Sequence, residues 1–592
     1  MSKKFLFLIC TLFVGGMQAI AQDFENATTA VKNMGLGWNL GNTLDANGQS
    51  ISDITNDGYW GQQGLDSETY WGQPYTKPEL LKMMKDAGFG AIRVPVTWYN
   101  HMDKDGNVNA EWMKRVKEVV NYVIDQGLYC ILNVHHDTGC DSGDKDGKVT
   151  HAHWIHASGT SYNNNKARFE GLWKQIAEEF KNYDQKLLFE GYNEMLDTVY
   201  AAQYENKVLK GFTWGSWCFA SFNSPDRYNE AKATDAYKAI NDYAQSFVNV
   251  VRSTGGNNTT RNLIVTTYAA CCGSGDWNNH LIDPITEMKL PTDVTSNHLI
   301  FQVHDYPTIA NTSMDNIKKD IDDTIEKLKT NLVSKGAPVI IGEWGTSNVD
   351  NGSDYIDRRE VMLEFADYFV KKCKENEIGT FYWMGLTDGM ARFFPAFSQP
   401  DLAKTLLQAY HGTDFTPELP DASKYSISCT VDFSKQWAEL YLYNGSSFTS
   451  SEYSSITLEL ENAPASNDLF QMKMYCSKYK DGTYKNVTEA KTTWTFAATM
   501  GTITSITLQS KQNSGQAKIK SIILKKKNGE EVLCNPSNYH DCELSNITVI
   551  TGINEIKQNI TTDNRIYNLQ GQRIDKPSKG IYIKGGKKYV AK

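Results

Sequence analysis

The sequence predicts an α/β fold: a (β/α)8 TIM barrel, followed by a β-sandwich-like domain and a small β-rich tail. Three observations predict it. Eight short apolar runs recur between residues 34 and 385, with helical periodicity between them. Residues suited to chemistry collect at the carboxyl ends of those runs. Beyond about residue 423 the chain turns to alternating, Ser-, Thr-, Tyr- and Val-rich segments.

The eight runs are Met34–Gly41, Ala91–Val96, Tyr129–His136, Leu187–Glu194, Leu263–Ala270, Leu299–Tyr306, Pro338–Gly345 and Ile378–Gly385. Most are nearly continuous in apolar residues, as strands buried on both faces must be. Pro78–Gly88 reads as a helix with Pro near its start and Gly at its end. Glu111–Gln126, Lys166–Tyr183, Thr234–Ser253, Ile317–Lys335 and Arg358–Asn376 have helical spacing, with Thr234 as an N-cap. Strands alternating with helices require a parallel sheet, and eight such units close it into a barrel.

The start reads as a signal peptide, residues 1–21. Lys3 and Lys4 precede the apolar run Phe5–Val14, and Ala19-Ile20-Ala21 has the small-x-small cleavage pattern, so the mature chain is expected to start at Gln22. That apolar run is short for a membrane span. The enzyme-sized domain is expected over residues 22–411, a Pro-containing linker over 412–422 and the sandwich over 423–547. The last segment, 553–592, is basic and carries short strands with Gly turns.

The net charge of −9 disfavours nucleic acid and anionic membranes as partners and suits a neutral substrate. Of the 11 cysteines, Cys534 and Cys542 bracket a loop and are the candidate disulfide pair. There is no CxxC, and the spacing of His151, His153 and His156 fits no strong metal-ligand pattern, so these belong to a solvated loop and neither metal nor cofactor is expected.

Glu194 ends the fourth run and Glu343 lies within the end of the seventh. In a barrel, strand ends meet at one face. Two carboxyl groups about 5–5.5 Å apart are what glycosidic cleavage with retention requires, one as acid/base and one as nucleophile. Asn193 is placed to donate to a sugar 2-hydroxyl, and Arg93 to hold the nucleophile ionised. Tyr306 is the candidate partner of Glu343, His304 or His135 of the acid/base. Trp383 is a candidate aromatic floor, and Asn42, His136 and Trp344 complete the substrate-binding set. No strand end offers a Lys for Schiff-base chemistry, and no Gly-rich phosphate loop follows strands seven and eight.

These segments resemble glycoside hydrolase family 5. They are Gly37-Trp38-Asn39-Leu40-Gly41-Asn42-Thr43-Leu44-Asp45, Ile92-Arg93-Val94-Pro95-Val96, Leu132-Asn133-Val134-His135-His136, Leu188-Phe189-Glu190-Gly191-Tyr192-Asn193-Glu194, Val303-His304-Asp305-Tyr306 and Ile341-Gly342-Glu343-Trp344-Gly345. The resemblance implies catalytic roles for Glu194 and Glu343, supporting roles for Arg93, His135, Asn193, His304 and Tyr306, and an endo-β-1,4-glucanase acting on cellulose or mixed-linkage glucan. Mannanase, xylanase and xyloglucanase remain the alternatives within the family, and a non-catalytic polysaccharide-binding surface protein the alternative outside it. Long segments after strands three and four, Asp137–Asn165 and Met195–Ala233, leave the exact glucan open.

The sandwich is either carbohydrate-binding, with Trp437, Tyr441, Tyr443 and Trp494 as stacking residues, or a stabilising module. The tail resembles the C-terminal sorting domains of Bacteroidota type IX secretion through Ile566–Gln572 and Gly580–Ile583. The expected partners are a β-glucan polysaccharide and secretion machinery, with no membrane span; the expected state is a secreted or cell-surface monomer.

Overall fold

The computed structural model describes residues 23–47, 63–139, 142–143, 149–151, 153–197, 230–273, 283–307, 313–346, 359–443, 447–536 and 542–551, with four short strands between 566 and 591. The expected signal segment and cleavage site lie outside the described residues, as do Trp214 and Trp217 of the segment after strand four.

All eight predicted runs form strands: β1 Leu36–Asn39, β2 Ala91–Val94, β3 Tyr129–Asn133, β4 Leu187–Glu190, β5 Leu263–Cys271, β6 Leu299–Asp305, β7 Val339–Trp344 and β8 Gly379–Trp383. They pair in parallel and in sequence order into a closed barrel, β1 against β8 completing the ring. Helices intervene at Pro78–Ala87, Ala110–Asp125, Gly159–Glu179, Glu230–Ser253, Met314–Asn331 and Arg359–Glu375, and Pro400–His411 follows β8. The chain divides into two compact units between Pro420 and Asp421.

Two helix starts differ from expectation. The helix after β4 begins at Glu230, so Thr234 lies in its interior and exposed, not at its cap. The helix after β3 begins at Gly159, capped by the Ser158 side chain, which accepts from the Ser161 N–H. A helix over Ala27–Met34, capped by Asn26, precedes β1. Its Ala27, Val31 and Met34 join Ala91, Tyr129, Ile131, Leu188, Ile264, Ile300, Ile340 and Phe381 in one buried cluster. These are inward-facing strand residues, so the helix closes the floor of the barrel.

Above that apolar floor the interior becomes polar. Strand side chains alternate between interior and helix layer, which places Asn39, Arg93, Asn133 and Glu190 inward, all fully buried. Asn39 is level with Arg93, and Asn133 with Glu190. A bulge interrupts β7: Val303 and His304 pair with Ile341 and Glu343, and Thr380 and Tyr382 with Ile341 and Trp344. The extra residue re-aims Glu343 into the barrel mouth.

The same bulge corrects the expectation for Trp344. After Glu343 the alternation resumes, and Trp344 points outward. It is fully buried, stacked on Phe369 at 4.2 Å and edge-on to Tyr382 at 5.1 Å. Trp344 is a packing residue between barrel and helix, not a cleft residue.

In the second unit, residues 425–551 form two antiparallel sheets. One sheet is built from Lys491–Thr495, Tyr453–Leu460, Gly515–Lys526, Tyr425–Phe433 and Cys542–Thr551, with Glu531–Cys534 on Gly515–Lys526. The other is built from Glu439–Tyr443, Thr502–Ser510, Phe470–Cys476 and Tyr479–Asn486. The final strand runs to Thr551, past the expected boundary at 547, because it pairs along Tyr425–Phe433 as far as Tyr425. Trp494 is 7% exposed and belongs to the core, whereas Trp437 is 51% exposed. Cys534 and Cys542 are separate thiols, directed at the Val532 and Glu439 carbonyls. The last four strands form their own small antiparallel sheet.

Candidate active site

Arg93 organises the barrel mouth. Its Nε and Nη2 donate to the two oxygens of Glu190, each at 2.7 Å. Nη1 donates to Glu343 Oε1 at 2.7 Å and to Asn39 Oδ1 at 3.0 Å; Nη2 also donates to Asn193 Oδ1 at 2.7 Å. Burial alone would disfavour this charge, but Glu190 and Glu343 outweigh it, and Arg93 stays firmly protonated. Burial likewise opposes ionisation of Glu190, and Arg93 with the Asn133 amide reverses the sign, holding Glu190 below the ordinary carboxylate range.

Glu343 receives a second donor, the Tyr306 hydroxyl, on Oε2 at 2.9 Å. Burial pushes its carboxyl up and the neighbouring Glu194 adds to this, while Arg93 pulls it down; the net direction is above the ordinary carboxylate value. Glu194 Oε1 meets His304 Nδ1 at 2.7 Å, and its side chain is 17% exposed. Burial raises its pKa to about 7, opposed only by the charge of Arg93. Two carboxyls of one type thus sit in unlike surroundings. Glu343 is held by a guanidinium and a phenol, which favours the anion. Among the described residues no cationic side chain donates a hydrogen bond to Glu194, which favours the acid at neutral pH.

His304 bridges them, with Nδ1 also 3.5 Å from Glu343 Oε2. Burial lowers its pKa to about 4, so the ring is neutral at neutral pH. His135 Nδ1 accepts from the Asn133 amide at 2.9 Å, and its Nε2 lies 3.9 Å from Glu343 Oε1. Of the two histidines offered as partners of Glu194, His304 is the one in contact, while His135 faces Glu343.

The rest of the mouth is aromatic. His135 lies parallel to Trp383, centroids 5.9 Å apart, and edge-on to His136 at 4.5 Å; Trp71 meets His136 at 5.2 Å. Gly41 underlies Trp383, where a Cβ would come within 2.8 Å of the indole. Asn42, after β1, has φ 59, a left-handed conformation that Asn tolerates well. Its N–H donates to Asp45 Oδ2.

Sequence reading gave no role to Glu190, Asn39 or Asn133. Each is a polar side chain inside an otherwise apolar run, and that was the available signal. Of the three loop histidines, His153 is 8% exposed and packs against Gly139, so it is not solvated; the side chain of His151 lies outside the described residues. Among the described residues, two groups bring ligand-type atoms within 4.8 Å of one another: Asp45, His135 and His136, and Glu194, His304 and Glu343. In the second, His304 Nδ1 is already hydrogen-bonded to Glu194, and the guanidinium on Glu343 opposes a cation there. It is suited to proton transfer and to nucleophilic attack.

A closed parallel barrel with two differently supported carboxyls at its mouth is the arrangement of a glycosidase. Residues 44–387 match the family model described as Cellulase (glycosyl hydrolase family 5), and the chain belongs to that family. It is 32% identical over 393 residues to Endoglucanase B of Neocallimastix patriciarum, covering 64% of this chain and 69% of that protein. Among solved structures it is similar to a GH5-4 broad specificity endoglucanase from an uncultured bacterium, at 54% identity and TM-score 0.58, covering 66% of this chain and 97% of that one. It is also similar to a glycoside hydrolase family 5 enzyme of Prevotella bryantii in complex with a xyloglucan tetradecasaccharide, at 38% identity and TM-score 0.53, covering 66% and 99%.

Proposed function

We propose that the chain is a secreted, retaining endo-β-1,4-glucanase acting on cellulose and mixed-linkage glucans, with Glu194 as general acid/base and Glu343 as nucleophile. The observation that carries the mechanism is the carboxylate spacing. An oxygen of Glu194 and one of Glu343 lie within 4.8 Å, the spacing for direct attack on the sugar and too close for an intervening water.

In the first step Glu194 gives its proton to the glycosidic oxygen while Glu343 attacks the anomeric carbon. The carbon–oxygen bond breaks, the leaving sugar departs as an alcohol, and a glycosyl ester forms on Glu343. In the second step the Glu194 carboxylate takes a proton from water, whose oxygen attacks the same carbon and releases Glu343. Arg93 and Tyr306 stabilise Glu343 as an anion at the start and as a leaving group at the end. Arg93 occupies Asn193 Oδ1, which leaves the amide N–H groups to donate to the 2-hydroxyl. Trp383, His135 and His136 offer ring faces and edges to the sugar, and Asn42 stands at the rim.

The endoglucanase reading draws on the named relatives. A second reading, breadth toward xyloglucan, is supported by the similarity to the xyloglucan-bound enzyme. Hydrolysis of a panel of cellulose derivatives, mixed-linkage glucan, xyloglucan, mannan and xylan, with product sizing, tests both. Fast viscosity loss on soluble cellulose that disappears in Glu343→Ala supports the assignment. Binding without products would instead indicate a non-catalytic polysaccharide-binding protein.

Secretion is supported by Lys3, Lys4 and the apolar run behind them, and type IX sorting by the tail motifs. Among the described residues no helix is long and apolar enough to cross a membrane. Mass spectrometry of extracellular enzyme tests the export reading: loss of the tail supports it, and an intact Lys592 on free enzyme counts against it. Carbohydrate binding by the sandwich rests on exposed Trp437 and half-buried Tyr441 and Tyr443. Trp437→Ala in the full chain should weaken retention on insoluble glucan.

A further inference from the structure

Gln302 faces the barrel interior two residues before His304, level with Thr266 on β5. Its Nε2 lies 3.3 Å from His304 Nε2 and 3.5 Å from Thr266 Oγ1. The Thr266 hydroxyl donates its own proton to the Tyr192 carbonyl at 2.8 Å. Thr266 Oγ1 is therefore left as an acceptor, and the end of Gln302 that meets it must be the NH2 group. Gln302 Oε1 is buried without a hydrogen-bond partner among the described residues. Turning the amide round would bury unpaired N–H donors instead, a rarer condition than an unpaired carbonyl. The bulge residue Gly342 makes the room: a Cβ there would come within 2.4 Å of Gln302 Oε1.

With NH2 against it, His304 Nε2 must be the bare nitrogen, and in the neutral ring Nδ1 carries the proton. Nδ1–H then donates to Glu194 Oε1. The carbonyl oxygen of a carboxylic acid is its better acceptor, so this bond favours the protonated form of Glu194 with the proton on Oε2.

We propose that Gln302 is a positioning residue. The chain Tyr192 carbonyl, Thr266, Gln302 and His304 fixes the histidine tautomer and so directs the Glu194 proton to the oxygen left for the leaving group. This rests on Glu194 as the acid/base. It adds a residue that touches neither substrate nor carboxylate.

The test uses the full chain with 15N-labelled histidine, comparing wild type with Gln302→Leu and Thr266→Val. The His304 signals are assigned by their loss in His304→Ala. In wild type without substrate, Nδ1 should be the protonated nitrogen and Nε2 the bare one. Both variants should shift the ring toward a mixture of tautomers, with kcat reduced about tenfold and KM little changed. Thr266→Val carries the test if Gln302→Leu does not fold. An unchanged tautomer in a folded variant overturns the proposal, even if kcat falls, because the loss would then be one of packing. The tautomer is read without substrate, so this outcome is separate from failure of the acid/base reading, which would show as full turnover in Glu194→Gln.

Discussion

Arg93 Nη1 stands 2.7 Å from Glu343 Oε1 while its Nε and Nη2 grip both oxygens of Glu190. The guanidinium thus carries one carboxylate that is fully buried and one at the cleft. A point-charge ammonium cannot reproduce that fork. Arg93→Lys should lower kcat/KM by about a hundredfold or more, measured on a soluble cellulose derivative. Glu190→Gln should destabilise the fold by about 3 kcal/mol, because it leaves a buried charge partly uncompensated. Denaturant unfolding checks this, and loss of activity without loss of stability would contradict the role given to Glu190.

Tyr306→Phe removes one donor from Glu343 and leaves the ring. A hydrogen bond to a charged group contributes about 1.5–3 kcal/mol, so kcat should fall roughly ten- to a hundredfold. The slower of the two chemical steps should show it in pre-steady-state kinetics.

The acid must hold its proton to work. Burial raises Glu194 to about 7, so kcat/KM should decline as pH rises through about 7. In Glu194→Ala, azide should restore turnover of a substrate with a good leaving group and yield the β-glycosyl azide, since the first step then needs little proton donation.

Asp305 gives a stability prediction. Burial, reinforced by Asp320, raises it from 3.8 to about 7, and its Oδ1 has no hydrogen-bond partner among the described residues. Between those pH values the folded state holds a proton that the unfolded state has lost. This contribution therefore weakens as pH rises from about 4 to about 7. Asp305→Asn removes the titration. Its Tm relative to wild type should climb across that window and level off above it; a constant difference would contradict the buried-acid assignment.

The strands were legible because burial on both faces leaves short apolar runs, and helical periodicity between them sets those runs apart as strands. Glu194, Glu343 and Arg93 were legible as charges at the ends of such runs. Trp344 was misplaced because a one-residue bulge at Gly342 and Glu343 shifts the alternation, and a bulge leaves no compositional mark. Glu190 and Asn133 were passed over because only the closed barrel brings them to Arg93 and to each other. The floor helix Ala27–Met34 was unread since its apolar residues adjoin the first strand. Trp494 and Trp437 look alike in sequence, and only the sheet packing separates a core ring from an exposed one.

The proposed double displacement requires that Glu343 becomes covalently glycosylated. Incubation with a 2-deoxy-2-fluoro glucosyl or cellobiosyl fluoride slows the second step, and peptide mass spectrometry then locates the sugar. One sugar per chain is expected, on the peptide containing Glu343, and none in Glu343→Ala. A label on Glu194, or no label together with α-configured first products, would contradict it.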